Sequence, residues 1–194
     1  MLVRVPRMRM RAPGPHHVNM SAFHEPSMDI AEILMAEHSS IRVWSLRRDG
    51  AEEWFPGLNS FVVEMHAGDL EDDLLFPALR KAKANDEDFL FNLTRIANDH
   101  RLIATLGSNM LRWLADGEMD LFRARLDTYF KVVTYHNSTE EVQVFPALRS
   151  LDPGIRCGLA AEAIERMRSR PDAYWRYSGI SREFLEYSAG IPCP

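Results

Sequence analysis

Glu71-Asp72-Asp73-Leu74-Leu75-Phe76-Pro77-Ala78-Leu79-Arg80 recurs as Glu140-Glu141-Val142-Gln143-Val144-Phe145-Pro146-Ala147-Leu148-Arg149, at an offset of 69 residues. Self-similarity of this kind marks two related helical hairpins. One hairpin cannot bury its apolar faces alone, whereas two stacked on each other can. In both copies the proline is expected to end or kink its helix, because it lacks an N–H and crowds the preceding turn.

Outward from this repeat the apolar residues keep a helical period. Ile30, Leu34, His38, Ile41 and Trp44 share a face of a first helix that ends near Gly50. A second helix is expected from about Leu58 to Ala84, with Phe61, Val62, Met65 and His66 inward. A third opens around Asp86, carries Leu93, Ile96, His100, Ile103, Met110 and Leu114, and stops at Asp116-Gly117. A fourth presents Phe122, Leu126, Tyr129, Val133, His136 and Glu140 and ends near Asp152-Pro153-Gly154. Short links between long amphipathic helices favour antiparallel neighbours. The expected fold is therefore all-α, an up-down-up-down four-helix bundle of two repeated hairpins over residues 28–152. Residues 153–194 are expected as a C-terminal helix and an aromatic-rich segment (Tyr174, Trp175, Tyr177, Phe184, Tyr187) packed on the bundle's outside, with no chemistry of its own.

Residues 1–27 differ in character. Arg4, Arg7, Arg9 and Arg11 alternate with apolar residues, no acid precedes Glu25, and Pro6, Pro13, Pro15 and Pro26 oppose a helix. A disordered tail is expected there; a basic, acid-poor start also slightly resembles an organelle-targeting segment. The 194 residues otherwise fit one domain with extensions, and a hydrophobic share of 46% is enough to fill its core. A formal net charge of −5 argues against nucleic acid as the main partner. No apolar run approaches the roughly 18 residues of a membrane span. The two cysteines, Cys157 and Cys193, cannot build a disulfide framework or a cysteine zinc site, so a reducing, cytoplasmic location is expected.

Four histidines fall one per expected helix, His38, His66, His100 and His136, each within or beside the apolar stripe. Buried imidazoles without partners are costly, and a shared metal centre would satisfy all four. Glu140 follows His136 by four residues, so both point from one helix face into the bundle. The repeat makes Glu71 its counterpart, but His66 precedes Glu71 by five residues. On an ideal α-helix that leaves the two roughly 140° apart. A π-bulge would realign them, and Gly68 between them makes one cheaper. Asp69, three residues from His66, is the rival carboxylate. Asp72, Asp73 and Glu141 are expected to face solvent or to orient ligands. Glu37 and Asp99 each precede a histidine and should point about 100° away from it. Tyr135 is expected to pack; Tyr129, two turns before His136 on the inner stripe, is the lesser candidate for a hydrogen bond near an open metal position.

Glu37-His38, His66 with Glu71, Asp99-His100 and His136-x-x-x-Glu140, each hairpin closing on Phe-Pro-Ala-Leu, resemble the hemerythrin-like (HHE) cation-binding domain. The resemblance covers about residues 28–150. It implies a four-helix bundle around two irons bridged by carboxylates and a solvent-derived oxo or hydroxo group. The implied metal ligands are His38, His66, Glu71, His100, His136 and Glu140. Oxygen-carrying hemerythrin has a fifth histidine one turn after the third-helix ligand, where this chain has Ala104. Six ligands would leave a more open site, similar to family members that respond to nitric oxide or oxygen or that handle iron. The ferritin-like alternative places a glutamate three residues before its histidine, and no histidine here has one.

The expected function is a non-haem di-iron protein binding or sensing oxygen, nitric oxide or peroxide, with a small diatomic molecule as ligand and a role in stress response or iron handling. Manganese or zinc also suits nitrogen and oxygen donors. Alternatives are an enzyme that reduces a small oxidant and a metal-stabilised interaction module; no protein partner is identifiable.

Overall fold

A computed structural model describes residues 29–189. The expected tail at 1–27, with His16, His17 and His24, lies outside the described residues, as do residues 190–194 and the side chain of Tyr187. Among the described residues every element is a helix. None is long and apolar enough to cross a membrane.

Helix α1 (Ile30–Ser45) starts in a capping box. The Asp29 carboxylate accepts from the Ala31 amide at 3.1 Å, and Glu32 accepts from the Asp29 amide at 3.0 Å. Its buried face runs Ile30, Ile33, Leu34, Glu37, His38, Ile41 and Trp44, the three-four spacing of a core-facing stripe. The second helical run begins earlier than the apolar pattern suggests. Helix α2 spans Ala51–Ser60, because Trp54 and Phe55 already pack inward.

Helix α2 passes without a break into a π-helix, Phe61–Leu75, and then into α3, Phe76–Ala82. The extra residue between His66 and Glu71 is thereby absorbed: i→i+5 bonding gives each turn room for it. Helix α4 (Glu87–Ala115) is capped by Asp86, whose side chain accepts from the Phe89 amide at 3.0 Å. It ends at Gly117, whose φ of 75° reverses the chain into α5 (Met119–Gln143). Helix α6 (Phe145–Arg149) follows directly. Pro77 and Pro146 each sit in the first turn of their short helix, α3 and α6, at the junction with the helix before it.

Helices α7 (Pro153–Arg168), α8 (Asp172–Ser178) and α9 (Arg182–Ala189) form the C-terminal part. This part packs on the preceding helices through buried side chains of its own. Leu159, Ala163, Ile164, Met167, Tyr174, Tyr177, Ile180 and Leu185 belong to the same continuous core as the preceding helices. Helices α7 and α8 lie against α1 and the π-helix. There Arg166 donates to the Asp69 carbonyl at 2.9 Å and to its carboxylate at 2.7 Å, and Arg170 pairs with the same carboxylate.

Candidate metal centre

Six polar side chains are sealed inside this apolar core: His38 from α1, His66 and Glu71 from the π-helix, His100 from α4, and His136 and Glu140 from α5. The exposure of each is 6% or less, so each must find its partners inside. The two carboxylates stand between the imidazoles. Glu71 Oε1 lies 3.4 Å from His66 Nε2 and 3.8 Å from His38 Nε2, while its Oε2 lies 3.2 Å from His100 Nε2. Glu140 Oε2 lies 3.4 Å from both His38 and His136 Nε2, and its Oε1 lies 3.9 Å from His100 Nε2. Glu71 thus turns one oxygen to each side of the cluster, whereas Oε2 of Glu140 stands between His38 and His136.

The π-helix brings His66 and Glu71 together despite their five-residue spacing. Asp69 is turned the other way, onto Arg166 of α7 and Arg170 just beyond that helix.

The donor atoms fall into two overlapping groups. His38, His66, Glu71 and Glu140 form one, and Glu71, His100, His136 and Glu140 the other; within each group the donor atoms lie within 4.8 Å of one another. His38 Nε2, His66 Nε2 and all four oxygens of Glu71 and Glu140 are buried with no hydrogen-bond partner. Donors around one octahedral ion at about 2.1 Å stand roughly 3 Å apart, close to the separations found here. Nitrogen and oxygen donors, converging and otherwise unsatisfied, fit a metal site.

The far nitrogen of each imidazole faces another acid, always from a different helix. His38 Nδ1 meets Glu141 at 2.9 Å, and Arg42 also holds that carboxylate. His66 Nδ1 donates to Glu37 at 2.7 Å. His100 Nδ1 lies 3.0 Å from Asp72, and His136 Nδ1 lies 3.9 Å from Asp99. Every orienting acid is therefore the chain neighbour of some ligand candidate yet serves another one. Asp73 faces solvent. Tyr135 is 74% exposed rather than packed, and Tyr129 donates to Asn59 Oδ1 at 3.0 Å, so its hydroxyl is committed away from the cluster.

Burial by itself disfavours charged imidazoles, but the carboxylates outweigh it at three of the four. The His38 pKa is pushed up to about 10 by Glu140 and Glu71, and that of His100 up to about 12 by Asp72, Glu140 and Glu71. His66 is also raised against its burial, by Glu71 and Glu37. Burial prevails at His136, which is lowered. Glu71 is held well below the usual carboxylate range despite its burial, chiefly by His66 and His100. Metal-free, the cluster needs protons as its cations.

Three features escaped the sequence. Phe76 stacks on His100 and Phe145 on His38, with centroids 5.5 and 5.4 Å apart; the repeated Phe-Pro could have signalled this. Glu37 turns from its neighbour His38 to hold His66, which an acid beside each histidine hinted at. Tyr174, whose hydroxyl donates to Glu37 at 2.5 Å, left no signal at all.

No curated protein and no solved structure matches the chain. The family model described as the hemerythrin HHE cation binding domain matches residues 29–148, the span that supplies all six clustered side chains. The chain belongs to the hemerythrin HHE cation-binding domain family.

Proposed function

We propose that this protein is a non-haem di-iron protein that binds or senses a small oxidant or diatomic molecule (oxygen, nitric oxide or peroxide). The observation that carries this reading is the pair of four-donor groups sharing Glu71 and Glu140. We take His38, His66, Glu71, His100, His136 and Glu140 as the ligands, with both glutamates bridging. Residues 28–152 are read as an up-down-up-down bundle, supported by the short links between α3 and α4 and between α4 and α5.

An iron pair held there would supply redox chemistry and coordination positions open to a small molecule. The remaining work falls to the chain. Glu71 and Glu140 provide the negative charge that favours cations at both subsites. Glu37, Glu141 and Asp72 face the outer ring nitrogens and so point Nε2 inward. Phe76 and Phe145 cover two of the imidazoles and keep water from them. Six residues with eight donor atoms between two ions would leave room for a further ligand, and Ala104 offers none.

Metal analysis and an absorption spectrum of protein purified in air, repeated after nitric oxide exposure, test the proposal. About two irons per chain and a spectrum altered by nitric oxide are expected. Less than about one metal per chain, with none recovered on anaerobic iron loading, would overturn it.

A further inference from the structure

Three of the four acids behind the imidazoles reach solvent: the side chains of Glu141, Asp72 and Asp99 are 21%, 40% and 38% exposed. Glu37 is fully buried. A carboxylate out of water needs both oxygens occupied. Oε2 of Glu37 accepts from His66 Nδ1 at 2.7 Å, and Oε1 accepts from the Tyr174 hydroxyl at 2.5 Å. Tyr174 is itself buried and comes from α8, beyond the 29–148 span of the family match. Its ring also packs on Phe61, 5.6 Å between centroids, and Phe61 stacks on His66 at 6.2 Å. His66 is thus reached from the C-terminal helices in two ways, through a hydrogen-bond chain and through a ring contact.

We propose that Tyr174 is a positioning residue of the candidate centre. Its hydroxyl fixes the Glu37 carboxylate, which fixes the His66 imidazole with Nε2 toward Glu71. The His38/His66 half of the cluster then depends on α8, whereas the His100/His136 half, backed by Asp72 and Asp99, does not. Without the hydroxyl, Glu37 Oε1 loses its partner and the carboxylate can turn away from His66. Loss of an orienting partner behind a metal-bound histidine costs roughly 10- to 100-fold in metal affinity. This inference rests on reading the cluster as a metal centre.

A matched control exists in the same helix. Tyr177 is also buried and its ring also lies against Phe61, at 6.5 Å, but its hydroxyl donates to the Trp54 carbonyl at 3.0 Å and has no part in the hydrogen-bond chain to His66. Tyr174→Phe and Tyr177→Phe each remove one buried hydroxyl from α8 and keep the ring. The full-length protein is loaded anaerobically with ferrous iron, and release to a chelator is followed. In Tyr174→Phe about half the metal should leave roughly 10- to 100-fold faster, while Tyr177→Phe releases at the wild-type rate. Equal release from the two variants would overturn the proposal, since a purely structural hydroxyl predicts that result.

A second measurement needs no metal. The hydrogen-bonded Nδ1 proton of His66 should give a slowly exchanging NMR signal in metal-free wild type and in Tyr177→Phe, and lose it in Tyr174→Phe. If the wild type takes up no metal, the metal reading fails and this signal decides alone. Its persistence in Tyr174→Phe would refute the positioning role, and its loss would support it.

Discussion

Phe145 stacks on His38, with ring centroids 5.4 Å apart and planes inclined by 20°. The aromatic of the second repeat therefore covers the histidine of the first hairpin, and Phe76 returns the favour to His100. This exchange gives the Phe-Pro repeat a physical reason. Each proline starts a short helix that carries its phenylalanine across to the opposite hairpin. Phe145→Ala should lower unfolding free energy by about 3–5 kcal/mol, as for other buried phenylalanines. Denaturant titration of the metal-free protein measures this, and faster metal loss to a chelator should accompany it.

Metal uptake should release protons. In the metal-free cluster the pKa of His38 is raised to about 10 and that of His100 to about 12, so both carry a proton near neutral pH. His66 is raised as well, and ligation needs neutral imidazoles, so about two to three protons per chain should appear on loading. Titration in weak buffer with a pH indicator counts them, and affinity should fall as pH falls. The sign for metal-free stability is opposite. The contribution of raised histidines is fully present below the unfolded value of about 6.5 and is lost as pH rises through about 10. Melting of the metal-free protein should therefore decline over that window.

Sharing predicts unequal losses. Glu71 belongs to both donor groups and His136 to only one. Glu71→Ala should abolish binding of both ions, while His136→Ala should lose about half the metal. Stoichiometry after anaerobic loading distinguishes them, and full occupancy in His136→Ala would refute its assignment.

Deletion of Gly68 removes the residue that the π-helix accommodates and leaves His66 and Glu71 four apart, the spacing of His136 and Glu140. We expect a folded protein that still binds metal, with the π-helix converted to α-helix. Loss of metal with the fold retained would show that the π geometry itself is required.

Gly107 tests the core away from the cluster. A Cβ there would stand 1.9 Å from Asn59 Oδ1, the acceptor of the Tyr129 hydroxyl. Gly107→Ala should cost about 1–3 kcal/mol through overpacking. Metal content should stay unchanged, because neither Tyr129 nor Asn59 belongs to the donor groups.

Much of the cluster was legible because its pattern is local. His136 and Glu140 share a face by α-helical arithmetic, and the repeat carried that relation to Glu71. Where helical arithmetic was ambiguous, local pattern could not decide. Asp69 and Glu71 could both be placed near His66 on some helical geometry. The choice came from Arg166 and Arg170, nearly one hundred residues on, which draw Asp69 outward. The start of α2 was missed for a related reason: Trp54 and Phe55 are inward only once their neighbours exist.

By itself the sequence determined the helical period, the two-hairpin repeat, the four histidines on inward faces and the one-residue excess before Glu71. These follow from side-chain spacing along a single helix. Only the tertiary structure decided which acid serves which histidine, that Phe76 and Phe145 change hairpins, and that the C-terminal helices join the core. The reason is separation along the chain. Tyr174 and Glu37 lie 137 residues apart, and no local periodicity records a hydrogen bond that forms only when α8 packs on α1.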